Sequence, residues 1–109
     1  MKLQDKVAVI TGAASSIGMG RAMALAFARE GADVVVCDID HNGVKERALE
    51  IEALGRKSMA LKTDVSSSSD VSQMIQTTVN TFEKIDIPVN NSGVREEPPT
   101  PIHEMSEEQ

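Results

Sequence analysis

The chain has 109 residues, with 17 Asp or Glu against 11 Lys or Arg and a formal net charge of -6. That length allows one small domain with one core. The acidic balance excludes a general nucleic-acid or anionic-membrane binder, which needs a basic face. A phosphate ligand stays open, because backbone N–H groups hold phosphate without Lys or Arg. The longest apolar run, Ala22–Ala28, is far too short to span a bilayer. The N-terminal M-K-L-Q-D-K lacks the apolar centre of a signal peptide, so a cytoplasmic location is expected. A lone cysteine, Cys37, leaves no disulfide within the chain, and its setting in V-V-V-C predicts a small buried strand residue. His41 and His103 have no partner at ligand spacing, so no metal site is expected.

In chain order, Lys6–Thr11 is an unalternating apolar run, which predicts a strand buried on both faces. The small residues Gly12–Ser16 follow, then Ile17, Gly18 and Gly20, and an Ala-rich helix from about Gly18 to Arg29. Ala22, Leu25, Ala26 and Arg29 share its helical spacing, and Gly31 ends it as a C′ residue. Ala32–Cys37 reads as a second buried strand that stops at Asp38-Ile39-Asp40. A second helix, about Asn42 to Leu54, carries Val44, Ala48 and Ile51 on one face, and Gly55 closes it. Ser58–Thr63 is a third strand, ending at Asp64-Val65. Ser67 and Asp70 have capping-box spacing, with Asp in place of Glu or Gln, ahead of a third helix. Its period is Val71, Met74, Ile75, Thr78, Val79 and Phe82, with Met74 as core filler. Asp86–Val89 is a fourth strand leading into Asn90-Asn91-Ser92-Gly93. Residues 94–109 are proline-rich and acidic, and read as a loop or tail with the start of a helix at Ser106.

The order β-α-β-α-β-α-β with right-handed crossovers predicts an α/β fold with a parallel sheet of order 3-2-1-4. This is one mononucleotide-binding half of a doubly wound fold plus the first strand of the other half, over residues 1–93. Ligands bind such sheets at the carboxyl ends of the strands, by the switch point between the first and fourth. Four motifs meet there: the glycine turn, Asp38, Asp64-Val65 and Asn90–Gly93. A strand, a glycine turn and a helix N-terminus are the layout of a dinucleotide phosphate site. Asp38, 20 residues after Gly18, stands where a carboxylate accepts from both ribose hydroxyls of adenosine and repels a 2′-phosphate. NAD is therefore the expected cofactor, ahead of NADP.

With these pieces the sequence resembles the short-chain dehydrogenase/reductase family. The resemblance rests on Thr11-Gly12 through Ile17-Gly18, the acidic strand end Asp38, the Asp64-Val65 pair, and Asp86-Ile87-Pro88-Val89-Asn90-Asn91-Ser92-Gly93. It implies a Rossmann-type fold and an oxidoreductase that moves hydride between nicotinamide and an alcohol or carbonyl carbon. It further implies that Gly12, Ser15, Ser16, Ile17, Gly18 and Gly20 border the pyrophosphate. Asp38 and Ile39 would border the ribose, Asp64 and Val65 the adenine, and Asn91, Ser92 and Gly93 the rest of the cofactor.

The sequence departs from the family pattern at three places. Ser16 stands where the middle glycine is usual, and Gly18 to Gly31 is longer than in the family, so the turn runs either to Gly18 or on to Gly20. Pro88 replaces an aliphatic residue in the fourth strand, where proline suits an edge. The family's Tyr-x-x-x-Lys centre has no counterpart, since the sequence contains no Tyr, and no catalytic residue is assigned. The chain is expected to be the cofactor-binding part of such an enzyme, without the later helices of the family's usual homo-oligomer interface. A non-catalytic dinucleotide-binding or interaction module and a non-functional truncated product are the alternatives. The substrate is not legible.

Overall fold

The computed structural model describes residues 2–91. Four strands, β1 (Val7–Thr11), β2 (Asp33–Asp38), β3 (Ser58–Lys62) and β4 (Ile87–Asn90), form one parallel sheet in the order β3-β2-β1-β4. Helices α1 (Met19–Arg29), α2 (His41–Ala53) and α3 (Ser68–Phe82) connect them. The predicted elements and strand order are present, with ends shifted by a residue or two.

The unalternating strands are apolar because both sheet faces are covered. Ala8, Ile10, Val34 and Val36 pack with Ala24, Leu25 and Ala28 of α1 and Val44, Ala48 and Ile51 of α2. On the other face Val9, Val35 and Cys37 meet Met74 and Phe82 of α3, with Met59 and Leu61 of β3. Burial raises the Cys37 thiol to about 12, against a weaker opposing effect of a hydrogen bond with Thr63. Cys37 is therefore a protonated, buried strand residue.

Two helix faces differ from expectation. The buried stripe of α1 is Gly20, Ala24, Leu25 and Ala28, with Ala22 and Ala26 exposed. An alanine-rich helix marks no face by composition, and the seat of Gly20 sets its rotation. In α3, Thr78 is fully buried while Ile75 and Val79 are 45% and 39% exposed. The Thr78 hydroxyl is satisfied within the helix by Met74 O at 2.8 Å.

The helix ends follow local chemistry. Ser67 Oγ accepts from Asp70 N–H at 3.3 Å, as the capping box predicts. Asp70 turns away from the reciprocal bond and accepts from Asp64 N–H at 3.0 Å, which ties the helix start to the end of β3. Asp40 caps α2 by accepting from Gly43 N–H at 3.1 Å.

Pro88 sits on β4, the edge strand of the described sheet, as suits a proline, but its side without an N–H does not face the open edge. Asp86 N–H donates to Val7 O at 2.8 Å. Residues two apart in a strand face the same neighbour, so Pro88 lacks its N–H on the β1 side, opposite Val9. The pairing is held instead at its ends. Val7 N–H donates to Asp86 Oδ2 at 2.8 Å, and Asn91 N–H to Thr11 Oγ1 at 3.1 Å. Pro88→Leu restores one ladder bond, and is expected to raise stability by about 1 kcal/mol, read as a higher urea midpoint at unchanged slope. The Val7 N–H, chiefly, holds the Asp86 carboxyl below its ordinary value of 3.8, with Lys84 assisting. A depressed folded pKa stabilises above the unfolded value and is lost as pH falls through the folded one. Asp86→Asn is therefore expected to flatten the fall in stability below about pH 4, measured by urea unfolding across pH.

Candidate functional site

The carboxyl ends of all four strands open on one crevice. Gly12, at φ 70 in the left-handed region, starts the turn after β1. Its N–H and that of Ala13 both donate to Cys37 O, at 2.8 and 3.3 Å, which pins the turn to β2. Asn91 pins it from the other side, donating Nδ2–H to Gly12 O at 3.1 Å. The Thr11 hydroxyl bridges to the same segment, donating to Asn90 Oδ1 at 3.0 Å and accepting from Asn91 N–H.

The structure decides where the glycine turn ends. A Cβ on Gly20 would lie 2.6 Å from Gly12 O, 2.9 Å from Ala13 Cα and 3.0 Å from Asn91 Nδ2. A Cβ on Gly18 meets only the Ser15 side chain, at 3.2 Å from Cβ. Gly20, in the first turn of α1, thus makes the close helix-to-strand contact, and the glycine pattern ends there and not at Gly18. Its middle, Ser15–Ile17, is exposed, and Ile17 N–H folds back to Ser15 Oγ at 3.2 Å. α1 begins at Met19 after Gly18, with no side-chain cap and no acidic residue in its first turn. Its N-terminal N–H groups face the turn without a carboxylate or hydroxyl of the helix itself to satisfy them.

Asp38 stands beside this turn. Its Oδ2 accepts from Ala14 N–H and its Oδ1 from Asp40 N–H, both at 3.1 Å. Each carboxylate oxygen has two acceptor positions, so both keep capacity for a further donor. Thr63 N–H donates to Asp38 O at 2.9 Å, bringing the end of β3 alongside. There Asp64 Oδ1 accepts from the Ser66 hydroxyl at 2.6 Å and its N–H at 2.9 Å. The hydroxyl first, then the N–H, hold the Asp64 carboxyl below its ordinary range. Among the residues after the strand ends, Ile17 (93%), Met19, Ile39 and Val65 are exposed apolar side chains.

The structure therefore packs Gly20 on Gly12, bonds Asn91 to Gly12 and ties Asp38 to the same turn through Ala14, with Asp64 and Val65 following β3. Ser15, Ser16, Ile17 and Gly18 form the exposed arch, and Ile39 follows Asp38. Ser92 and Gly93 lie outside the described residues, as does the tail from 94 to 109. Sequence reasoning missed Gly43 and Arg47 of α2, which touch the back of the turn at Ala14. The available signal was an arginine on the same helical face as Val44, Ala48 and Ile51. Among the described residues no three His, Cys, Asp or Glu side chains gather as a metal site. Nor, among the same residues, is any helix long and apolar enough to cross a membrane. Gly20→Ala is expected to destabilise the fold by about 1–3 kcal/mol through overpacking against backbone. Gly18→Ala costs clearly less, and the two urea midpoints give the comparison.

Comparisons with known proteins bear on the family and the fold. The family profile described as short chain dehydrogenase matches residues 6–109. The chain is 42% identical over 94 residues to the (2S)-[(R)-hydroxy(phenyl)methyl]succinyl-CoA dehydrogenase subunit BbsD of Thauera aromatica, covering 86% of this chain and 37% of that protein. It superposes on a hydroxysteroid dehydrogenase from Escherichia coli with a TM-score of 0.79 at 31% identity, covering 97% of this chain and 45% of that one. An NAD+-bound xylitol dehydrogenase gives a TM-score of 0.73 at 28% identity, covering 81% of this chain and 33% of that one. The chain spans 37–40% of the length of the curated relatives it matches. Its four-stranded 3-2-1-4 sheet is Rossmann-like, and the chain belongs to the short-chain dehydrogenase family.

Proposed function

We propose that this chain is the dinucleotide-binding part of an oxidoreductase that moves hydride between a nicotinamide cofactor and an alcohol or carbonyl carbon. The observation that carries the reading is the seat of Gly20 on Gly12, beside an uncapped helix N-terminus and the Asp38 carboxylate. The bare backbone at Gly20 lets α1 dock on the turn, and the α1 N-terminus then offers a pyrophosphate N–H donors and a positive dipole end. The residues present thus fit the cofactor. The xylitol dehydrogenase that shares this fold was solved with NAD+ bound, which supports the same assignment.

In this reading the Gly12–Gly20 turn holds the pyrophosphate, with Ser15, Ser16, Ile17 and Gly18 along its exposed arch. Asp38 accepts from the adenosine ribose, with Ile39 beside it, and Asp64 and Val65 border the adenine. Asn91 locks the turn through Gly12 O and, with Ser92 and Gly93, borders the cofactor. The nicotinamide ring supplies the hydride chemistry when bound. These residues bind and orient it. The 109 residues contain no Tyr, so the family's tyrosine proton-transfer group is not supplied by this chain.

Asp38 sets the preference for NAD over NADP, because its charge repels a 2′-phosphate. Calorimetric titration with both dinucleotides is the test. NAD is expected to bind more tightly, and Asp38→Asn to narrow the NAD/NADP ratio by roughly tenfold. An unchanged ratio removes the ribose role from Asp38. Absence of any binding at millimolar NAD sinks the dinucleotide reading.

A further inference from the structure

The geometry points to Arg47 as a positioning residue that sets the path of the glycine turn from behind, and so tunes pyrophosphate affinity without touching the ligand. This rests on the dinucleotide reading above. Arg47 lies in α2 and is 4% exposed. Its Nη1–H donates to Ala14 O at 2.7 Å, a bond buried beneath the turn. Ala14 N–H is held by Asp38 Oδ2 at 3.1 Å. Both backbone polar groups of one turn residue are thus gripped by side chains of opposite charge, from a helix and from a strand end. The exposed arch Ser15–Gly18 springs from this fixed point.

The grip depends on a close approach. A Cβ on Gly43 would stand 2.6 Å from Ala14 Cβ and 2.9 Å from Ala14 O. Only a bare backbone at Gly43 lets the turn settle onto α2 within reach of Arg47. Charge on the other side of the guanidinium orients it. Arg47 Nε–H donates to Glu50 Oε1 at 2.9 Å, and Glu50 also accepts from Arg21, whose Nε–H lies 3.0 and 3.3 Å from its two oxygens and whose Nη2–H lies 3.1 Å from Oε2. Arg21 belongs to the first turns of α1. The Arg21 hydrogen bond, ahead of those from Arg47, holds the Glu50 carboxyl below its ordinary range. The chain Arg21–Glu50–Arg47–Ala14 therefore links both ends of the turn, Ala14 at its start and α1 at its exit, to one face of α2.

A buried arginine also serves simple packing, and the two roles separate by ligand. Loss of packing lowers stability and weakens every ligand alike. Loss of positioning weakens ligands that use the turn most, and adenosine least, because Asp38 ends β2 and is tied to the turn only through Ala14 N–H, while Asp64 lies just past β3. The test is an amide-resolved NMR study of the full 109-residue chain, titrated with ADP-ribose and with adenosine, for the natural sequence, Arg47→Met and Arg47→Lys. Arg47→Met is expected to weaken ADP-ribose about tenfold and adenosine less than about twofold. Amides 13–18 should exchange faster while those of β1 and β2 hold, and Arg47→Lys should recover part of both effects. Equal losses on the two ligands, or unchanged exchange in the turn, overturn the proposal. Should Arg47→Met fail to fold, Arg47→Lys carries the same comparison. No ADP-ribose binding by the natural sequence sinks the dinucleotide reading instead, and the exchange of amides 13–18 then decides the grip by itself.

Discussion

The rest of the site depends on one close contact between two stretches of backbone, Gly20 of α1 on Gly12 and Ala13 of the turn. Side chains normally keep a helix and a strand end apart. Here their absence brings the first turn of α1 down onto the exit of β1, in the middle of the sheet. That contact fixes the rotation of α1, and with it the buried face Gly20, Ala24, Leu25 and Ala28. It also aligns the helix N-terminus with the mouth of the crevice. Asn91, bonded to Gly12 O and close to Gly20, joins β4 to the same point.

The three described helices treat their N-termini differently, and the difference follows position. α2 and α3 are capped by the side chains of Asp40 and Ser67. α1 has no such cap, and it is the helix whose start faces the turn. Capping usually contributes about 1 kcal/mol. Leaving it out keeps backbone donors available beside the glycine turn and places no negative side chain there. Negative charge is concentrated instead at the ends of β2 and β3, where Asp38 and Asp64 are already engaged by backbone N–H groups. The crevice is thus electrically divided, with donors at the glycine turn and acceptors at the neighbouring strand ends.

Much of this was legible because it depends on local chemistry. Unalternating runs such as Val7–Ile10 and Val34–Cys37 predict buried parallel strands. Glycine after the helical stretches predicts their ends, and Gly31 and Gly55 do follow the C-caps at φ 100 and 87. What escaped was tertiary. Nothing in an alanine-rich stretch says which side faces the sheet. The choice between Gly18 and Gly20 depends on distances to Gly12, and these are fixed only once the helix docks. Arg47 reads as one more charged residue on a polar helix until Gly43 is seen to admit Ala14 beside it. Pro88 does lie on the edge strand, but which side of that strand lacks the N–H could not be read. Its orientation toward β1 follows from register, which Asp86 and Asn91 set from either end.

The placement of β1 also bears on the order in which the chain can assemble. β1 is made first, yet it is an inner strand of the described sheet, between β2 and β4. Its partners on the β4 side come late: Asp86 follows Val7 by 79 residues. A nascent chain can pair β1 with β2 early, but the other edge of Val7–Thr11 waits until the whole described chain has left the ribosome. At about 5–20 residues per second that interval lasts several seconds. Loop closure must be met before this distant pairing returns anything, the condition under which parallel sheets fold slowly. During that interval the chain carries an apolar strand with an open edge, so it is most exposed to misassociation before β4 and Asn91 close the site.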